Sequence, residues 1–410
     1  MEMKKTLIMT LMSNQRGVTA ILVGLCLFAF IGFGALAVDI GHLCVARNEL
    51  QNAADAGALA GARFLYNEDG TAVNTGANQI ASDAATANMS ELAPVEVNGG
   101  DVQRGHWSFA TRTFTPNPST ALVDLWNVST AELDANTDFI NAVRVTARRQ
   151  ATPIASFFAR IFGHVGFQHA ADAVAYIGFA GTLPPHEVDQ PIAICKDSIL
   201  NASGEYTCNV GRMINSGQDA TSHETGGWTS FNQDDPCTGG TNAQEVKDLV
   251  CAEGNPGTIE LGKDMATNGG DIQSAFNDLV QCWADNTTKI RLWPVVLPVV
   301  DCGDQNNVGT CQEVRGAVEV NIVWITGAGE DPEYNEAPTQ MDSWSNSDPD
   351  GEVRWNDFVE HFRLENADGT PAPYDNKSIY FLPDCTPHIP SGVSGGENFG
   401  ILAERPKLVD

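Results

Sequence analysis

Positive charge is scarce in this chain. Its 410 residues include 23 Lys and Arg against 52 Asp and Glu, for a formal net charge of −29. A surface that acidic repels nucleic-acid phosphates and offers no polybasic patch to anionic lipid. A nucleic-acid partner is therefore not expected, and solubility is the simplest account of the charge. The short catalytic signatures are missing as well. No H-E-x-x-H helix, no G-x-x-x-x-G-K-[ST] phosphate loop and no serine nucleophile elbow is read, and no cysteine pair has C-x-x-C spacing. The eight histidines are scattered, and His361 and His388 read as surface or packed residues. These gaps leave no catalytic site and no enzyme activity to expect. Long apolar runs are absent too, with one exception.

That exception organises the chain. Val18 to Val38 is 21 residues without a charge, and only Thr19 is polar. A helix of that length spans roughly 30 Å, the thickness of a bilayer's hydrocarbon core. Lys4, Lys5 and Arg16 precede it against Glu2 alone, and Asp39 and the acidic chain follow. The positive-inside rule then places the N-terminus in the cytoplasm, the span in the cytoplasmic (inner) membrane, and residues 41–410 outside. A cleaved export signal is the competing reading, because Ala35-Leu36-Ala37 has small-x-small spacing. The run is longer than the roughly 7–15 residues of a signal core, which favours a retained anchor.

Beyond the span the helical pattern continues to about residue 66. Leu43, Leu50, Ala53, Ala54, Gly57, Ala58, Gly61 and Leu65 recur at three- and four-residue spacing, and Asn67 to Gly70 ends the run. The small-residue face can pack on its own domain or on a second subunit. Thr71–Leu92 reads as a second helix broken by Pro94. Strands are expected at 95–97, 102–109, 141–148 and 171–179, with a short helix at 154–162. Pro184-Pro185 marks a boundary. After it Cys, Gly, Asn and Asp rise, little helix is expected, and 292–300 and 317–326 are the clearest strands, with Pro294 and Pro298 placing the first near a sheet edge. Eight of the ten cysteines lie in this part, an even number that reads as a disulfide framework. Cys302 with Cys311, flanking the loop between those strands, and Cys195 with Cys208 are the expected local pairs.

The fold class is α+β. A cytoplasmic N-terminus (1–16) leads into a transmembrane helix with an amphipathic exterior extension (17–66). An α+β exterior domain (67–181) and a β-rich, disulfide-stapled exterior domain (182–410) follow.

Over residues 16–180 the chain resembles the TadE/TadG-like proteins of Flp (tight-adherence) pilus assembly. The likeness rests on Arg16-Gly17 and Ala37-Val38-Asp39-Ile40-Gly41, on Arg47 with Leu50-Gln51-Asn52-Ala53-Ala54-Asp55-Ala56, and on Ala58-Leu59-Ala60. Looser matches are Gly105-His106-Trp107, Asn141-Ala142-Val143-Arg144-Val145 and Phe157 to Gly163. The resemblance implies a membrane-anchored accessory whose partners are the lipid bilayer and other pilus-assembly or pilin-like membrane proteins. Pseudopilins of the family are trimmed after a glycine with a glutamate five residues on, and here Leu22 stands where that glutamate would be.

One further pattern carries chemistry. Asn346, Asp348, Asp350 and Asp357 fall at positions 1, 3, 5 and 12 of an EF-hand-type calcium loop, with Gly351 at 6 and Glu352 at 7. Calcium is thus the one cofactor to consider, and an acidic solvated turn is the plainer account. Two other function classes stay open at this stage: a calcium-dependent adhesin or binding module carried by 182–410, and a secreted hydrolase.

Overall fold

The computed structural model describes residues 15–67, 72–123, 125, 128–199, 208, 213–215, 226–234, 237, 239–269, 272–303, 308–327, 334–365, 369–392 and 394–409. Lys4 and Lys5, and residues 68–70 of the expected helix-ending turn, lie outside them.

Helix α1 (Gln15–Arg63) is 49 residues long and holds no proline to break it. Its two halves differ in what covers them. From Val18 to Val38 the large apolar side chains are exposed, whereas Ala46, Leu50, Ala53, Ala54, Ala58 and Ala62 are fully buried. The buried half lies against α2 (Ala77–Thr86) and against an antiparallel sheet. That sheet contains β1 (Val102–Ser108), β2 (Thr113–Pro116), β3 (Ala142–Ala155) and β4 (Gly166–Tyr176), in the order β2-β1-β3-β4. Contact is close because the helix face is small. A Cβ at Gly61 would lie 2.7 Å from the Ala81 Cβ and 2.9 Å from a Val143 methyl. The small-residue face is therefore filled by the chain's own sheet and α2, the simpler of its two readings. Val143, Val145 and Ala147 face this core as their alternation required. A short helix, α3 (Thr130–Ala135), starts from a Ser129–Glu132 capping box beside the sheet.

The expected helix at 154–162 is not formed as such. Ile154 is the buried end of β3, paired with Phe167, and only Ala159–Phe162 make a single 3-10 turn. The apolar residues there line the tip of the β3–β4 hairpin, which imitates a helical run without helical periodicity.

The second region is built on β5 (Ile192–Cys195), β6 (Met213–Asn215), β7 (Gly226–Thr229), α4 (Ala243–Leu249), β8 (Asp264–Asn268) and α5 (Gln273–Thr287). It continues with β9 (Trp293–Asp301), β10 (Cys311–Thr326), α6 (Gly351–Phe362), β11 (Ser378–Phe381) and β12 (Thr386–Pro387). Strand order is β8-β7-β5-β9-β10-β11-β6, with β12 on β10. Because β8 also pairs with β10, five strands close into a ring. β5 and β9 run parallel. Along residues 293–298 the other edge of β9 meets, among the described residues, the Asp189 backbone and carboxylate at Val296, between Pro294 and Pro298. Five of the eight tryptophans, 228, 283, 324, 344 and 355, gather in one core with Phe276, Phe358 and Tyr380.

More helix forms here than the composition promised. Helix α5 buries Ala275, Phe276, Leu279 and Trp283 through a sequence rich in Asn, Asp, Gln and Thr. Its propensity is weak, and packing of the apolar face supplies what propensity lacks. The chain's end then crosses back: β13 (Lys407–Val409) pairs with β4 and becomes the outer strand of the first sheet.

Candidate membrane-proximal and junction sites

The first site lies where the bare and the packed halves of α1 meet. Asp39, directly after the apolar run, is buried, and its carboxylate accepts backbone N–H groups from the hairpin tip: Phe157 at 2.8 Å, Phe158 at 3.1 Å and Ala159 at 2.7 Å. One turn on, the His42 ring stands 4.8 Å from the Phe157 ring while its Nε2 meets the Glu91 carboxylate. Higher still, Glu49 accepts the Glu91 N–H at 2.8 Å, and Gln51 donates to the Asp172 carbonyl at 3.1 Å. A polar seam thus fixes the hairpin tip and a small second hairpin (Met89–Ser90 with Ala93–Pro94) to one side of the helix, just above its apolar end. Fixing them needs buried hydrogen bonds, because unpaired N–H groups there would each be costly.

A second polar junction joins the two regions. The end of α1 and the second sheet enclose a cleft of about 420 Å³ lined by Arg63, Tyr66, Glu319, His388 and Glu404, among others. Arg63 pairs with Glu404. His388 lies between two carboxylates, its Nδ1 3.1 Å from Glu319 and its Nε2 3.7 Å from Glu187. Burial would lower the His388 pKa, but Glu187 and Glu319 outweigh it and raise the pKa above the ordinary histidine value. Burial likewise pushes Glu187 up, and His388 with Ser391 more than reverses this.

Among the described residues, the partners of both His388 ring nitrogens are carboxylates. The chain does contain one G-x-S-x-G pentapeptide, Gly392-Val393-Ser394-Gly395-Gly396, contrary to the expectation that the elbow spacing is absent. Ser394 is not placed as a nucleophile. It is buried, bridges Ala180, and its Oγ accepts from Gly178 N at 3.0 Å and donates to the Arg405 carbonyl at 2.9 Å. An elbow needs a strand-to-helix turn that exposes the hydroxyl, and this serine sits in extended chain.

The expected calcium residues are placed otherwise than in a cage. Asn346 Oδ1 accepts from Asp348 N, Asp348 Oδ1 from Asp350 N, and Asp350 Oδ1 from Glu352 N, each at 2.9 Å. This ladder of side-chain turns ends with Asp350 as the N-cap of α6. Asp357, already inside the helix, accepts from Trp344 Nε1 at 3.0 Å and Asn346 Nδ2 at 2.8 Å. Glu352 is exposed on the first turn. Among the described residues no group of three or more His, Cys, Asp and Glu is arranged to hold a metal ion. Short oxygen-bearing residues before a helix form such side-chain turns and N-caps.

The disulfides also differ from the local pairs. Cys195 bonds Cys302, and Cys311 bonds Cys237. Cys208 bonds Cys385, and Cys251 bonds Cys282. Cys302 leaves β9 two residues beyond Val300, whose parallel partner is Cys195, while Cys311 opens β10 on its β8 side opposite Ala266. The two sulfurs that flank the loop thus serve different strands. Sequence distance carries no signal for a parallel pairing.

Comparison with known proteins bears on the first region. Residues 17–63 match the family model described as Flp pilus-assembly TadE/G-like, and residues 60–175 match the one described as Tad-like Flp pilus-assembly. No curated protein and no solved structure matches the chain. The first match covers most of α1, and the second runs from its last turn through α2 and β1–β4. Over residues 17–175, then, this chain is similar to the Tad-like Flp pilus-assembly family models, and that stretch is one long helix seated on an antiparallel sheet.

Proposed function

We propose that the protein is a single-pass, membrane-anchored structural component of Flp-type pilus assembly, with its N-terminus in the cytoplasm and residues 41–410 outside. One observation carries this reading. A helix that matches the pilus-assembly family leaves the large apolar side chains of residues 18–38 exposed, with an 18-residue stretch reaching a mean hydropathy of 2.6, while the same helix is sealed into a folded domain further on. Leaving that much apolar surface in water is costly at about 25 cal/mol per Å². Lipid is the solvent that removes the cost. The acidic, disulfide-bridged body suits an oxidising exterior. Its role is to hold other pilus-assembly membrane proteins by packing, not to catalyse.

The test is fractionation of the producing cells. The intact chain is expected in the membrane after alkaline carbonate washing, with the body cut by protease added from the outside and the N-terminus protected. A full-length chain released as a soluble species with free thiols would refute the anchor. Mass spectrometry of the mature N-terminus separates an anchored chain, starting at Met1, from one processed to start at Val18 or released at Val38.

A further inference from the structure

We infer that the tip of the β3–β4 hairpin is a second membrane contact, an apolar loop that rests in the outer bilayer interface beside the span; this rests on the anchor reading above. Ser156 to Val165 is the hairpin tip, and it is capped by Asp39, the first residue past the apolar run. The tip therefore sits at the height where the helix leaves hydrocarbon. Its side chains are the wrong kind for water. Phe157 is 56 % exposed, Ile161 76 %, Phe162 83 % and Val165 75 %.

The exposure belongs to a defined conformation. Asp39 takes the N–H groups of Phe157, Phe158 and Ala159. Within the turn Ile161 donates to the Phe158 carbonyl, Gly163 to Arg160 and His164 to Ala159. The Arg160 guanidinium folds back onto the Ser156 carbonyl. A backbone whose polar groups are met internally is what a low-dielectric interface demands. The loop carries Arg160 and His164 and no acidic residue, in a chain of net charge −29.

The neighbouring hairpin adds an independent sign. Ser90 pairs with Ala93, which leaves Glu91 and Leu92 as the two turn residues, at φ 49° and 63°. Such a turn normally takes Asn-Gly, because side chains are strained at positive φ. Here the strained position holds a leucine that is 94 % exposed, and Glu91 ties it to His42, one helical turn above Asp39. Strain kept at an exposed apolar tip points to a contact outside the chain. The bilayer is the occupant that continuity with the bare helix selects.

The full chain, with Cys26→Ser and Cys44→Ser, is reconstituted in phosphatidylcholine vesicles and labelled with a nitrobenzoxadiazole probe at Ile161→Cys, Leu27→Cys or Arg112→Cys. Arg112 is exposed at the opposite end of the sheet. Quenching by doxyl lipids is expected to place position 161 about 5–10 Å into the headgroup–acyl boundary, the depth typical of interfacial elements. Position 27 should be quenched by mid-chain doxyl and position 112 not at all. Adding Phe162→Asp is expected to abolish quenching at 161 and leave that at 27 unchanged. Quenching at 27 without quenching at 161 overturns the proposal and leaves the anchor standing, even where the 161 probe is shielded by protein. No quenching at 27 overturns both. Persistence at 161 with Phe162→Asp would assign the contact to the probe and overturn the proposal as well.

Discussion

Single carboxylates set local structure at several places among the described residues by accepting backbone N–H groups, and three of them carry predictions. Glu96 is one. Strand β3 is irregular between Arg149 and Ile154, and Glu96 accepts from the N–H of Gln150, Ala151 and Thr152 and from the Thr152 hydroxyl. Burial alone would raise its pKa, but these donors outweigh it and hold the carboxyl at about 2. The sign follows from linkage. A carboxylate depressed by folding contributes stability that is present above its unfolded pKa of about 4.3 and is lost as the pH falls toward 2. Glu96→Gln is therefore expected to remove part of the acid dependence of unfolding between pH 4.5 and 2, measured by urea melts in detergent across that range. Asp350 is the second, as N-cap of α6. Asp350→Ala should cost about 1 kcal/mol in the same melts. Asp39 is the third, and its replacement by Ala should speed amide exchange at Phe157 to Ala159, read by mass spectrometry.

At the scale of elements, α1 is one helix with a bare apolar half and a half packed into a folded core. Its stripe of Ala and Gly was legible in the sequence as a place of close approach. The structure shows what approaches: the Ala81 carbonyl would lie 2.8 Å from a Cβ at Gly57. Gly57→Ala should therefore destabilise by about 1–3 kcal/mol through overpacking, although alanine is the better helix former. Gly41→Ala, with nothing within 4 Å, should be neutral or stabilise by up to about 1 kcal/mol. Denaturant midpoints of the two variants decide the matter, and equal shifts would contradict the close approach. The hairpin tip at 156–165 and helix α5 were among the elements misread, as were the helix expected at 71–92, which forms only over Ala77–Thr86, and the strand expected at 95–97. Whether apolar residues in such stretches face solvent or a core depends on neighbours distant in sequence.

For the molecule as a whole, long-range ties replace local ones. Cys195–Cys302 and Cys208–Cys385 close loops of 107 and 177 residues, where the expected local pairs would have closed far shorter ones. Cys195→Ala with Cys302→Ala should cost about 4 kcal/mol, since a loop near 100 residues removes much unfolded-state entropy. The His388 cluster lines the cleft beside the end of α1, and its partners Glu187 and Glu319 both belong to the second region. The raised His388 pKa gives stability that is full below the unfolded value of about 6.5 and is lost as the pH rises through the folded value. His388→Gln should flatten the loss of stability on going from neutral to alkaline pH, seen as a smaller change in melting temperature.

The sequence alone settled what depends on the order of residues along a short stretch. The bare apolar run, its helical continuation with a small-residue face, the alternation in β3, the even cysteine count and the pilus-assembly likeness are all local patterns, and each survives in the structure. Tertiary structure alone decided which cysteines meet, that β13 returns to the first sheet, that the acidic loop caps a helix, and that Asp39 holds a hairpin tip 118 residues away. The physical reason is common to these cases. Each depends on a contact whose partners are far apart in the chain, and composition and periodicity report on a residue's neighbours in sequence, not in space.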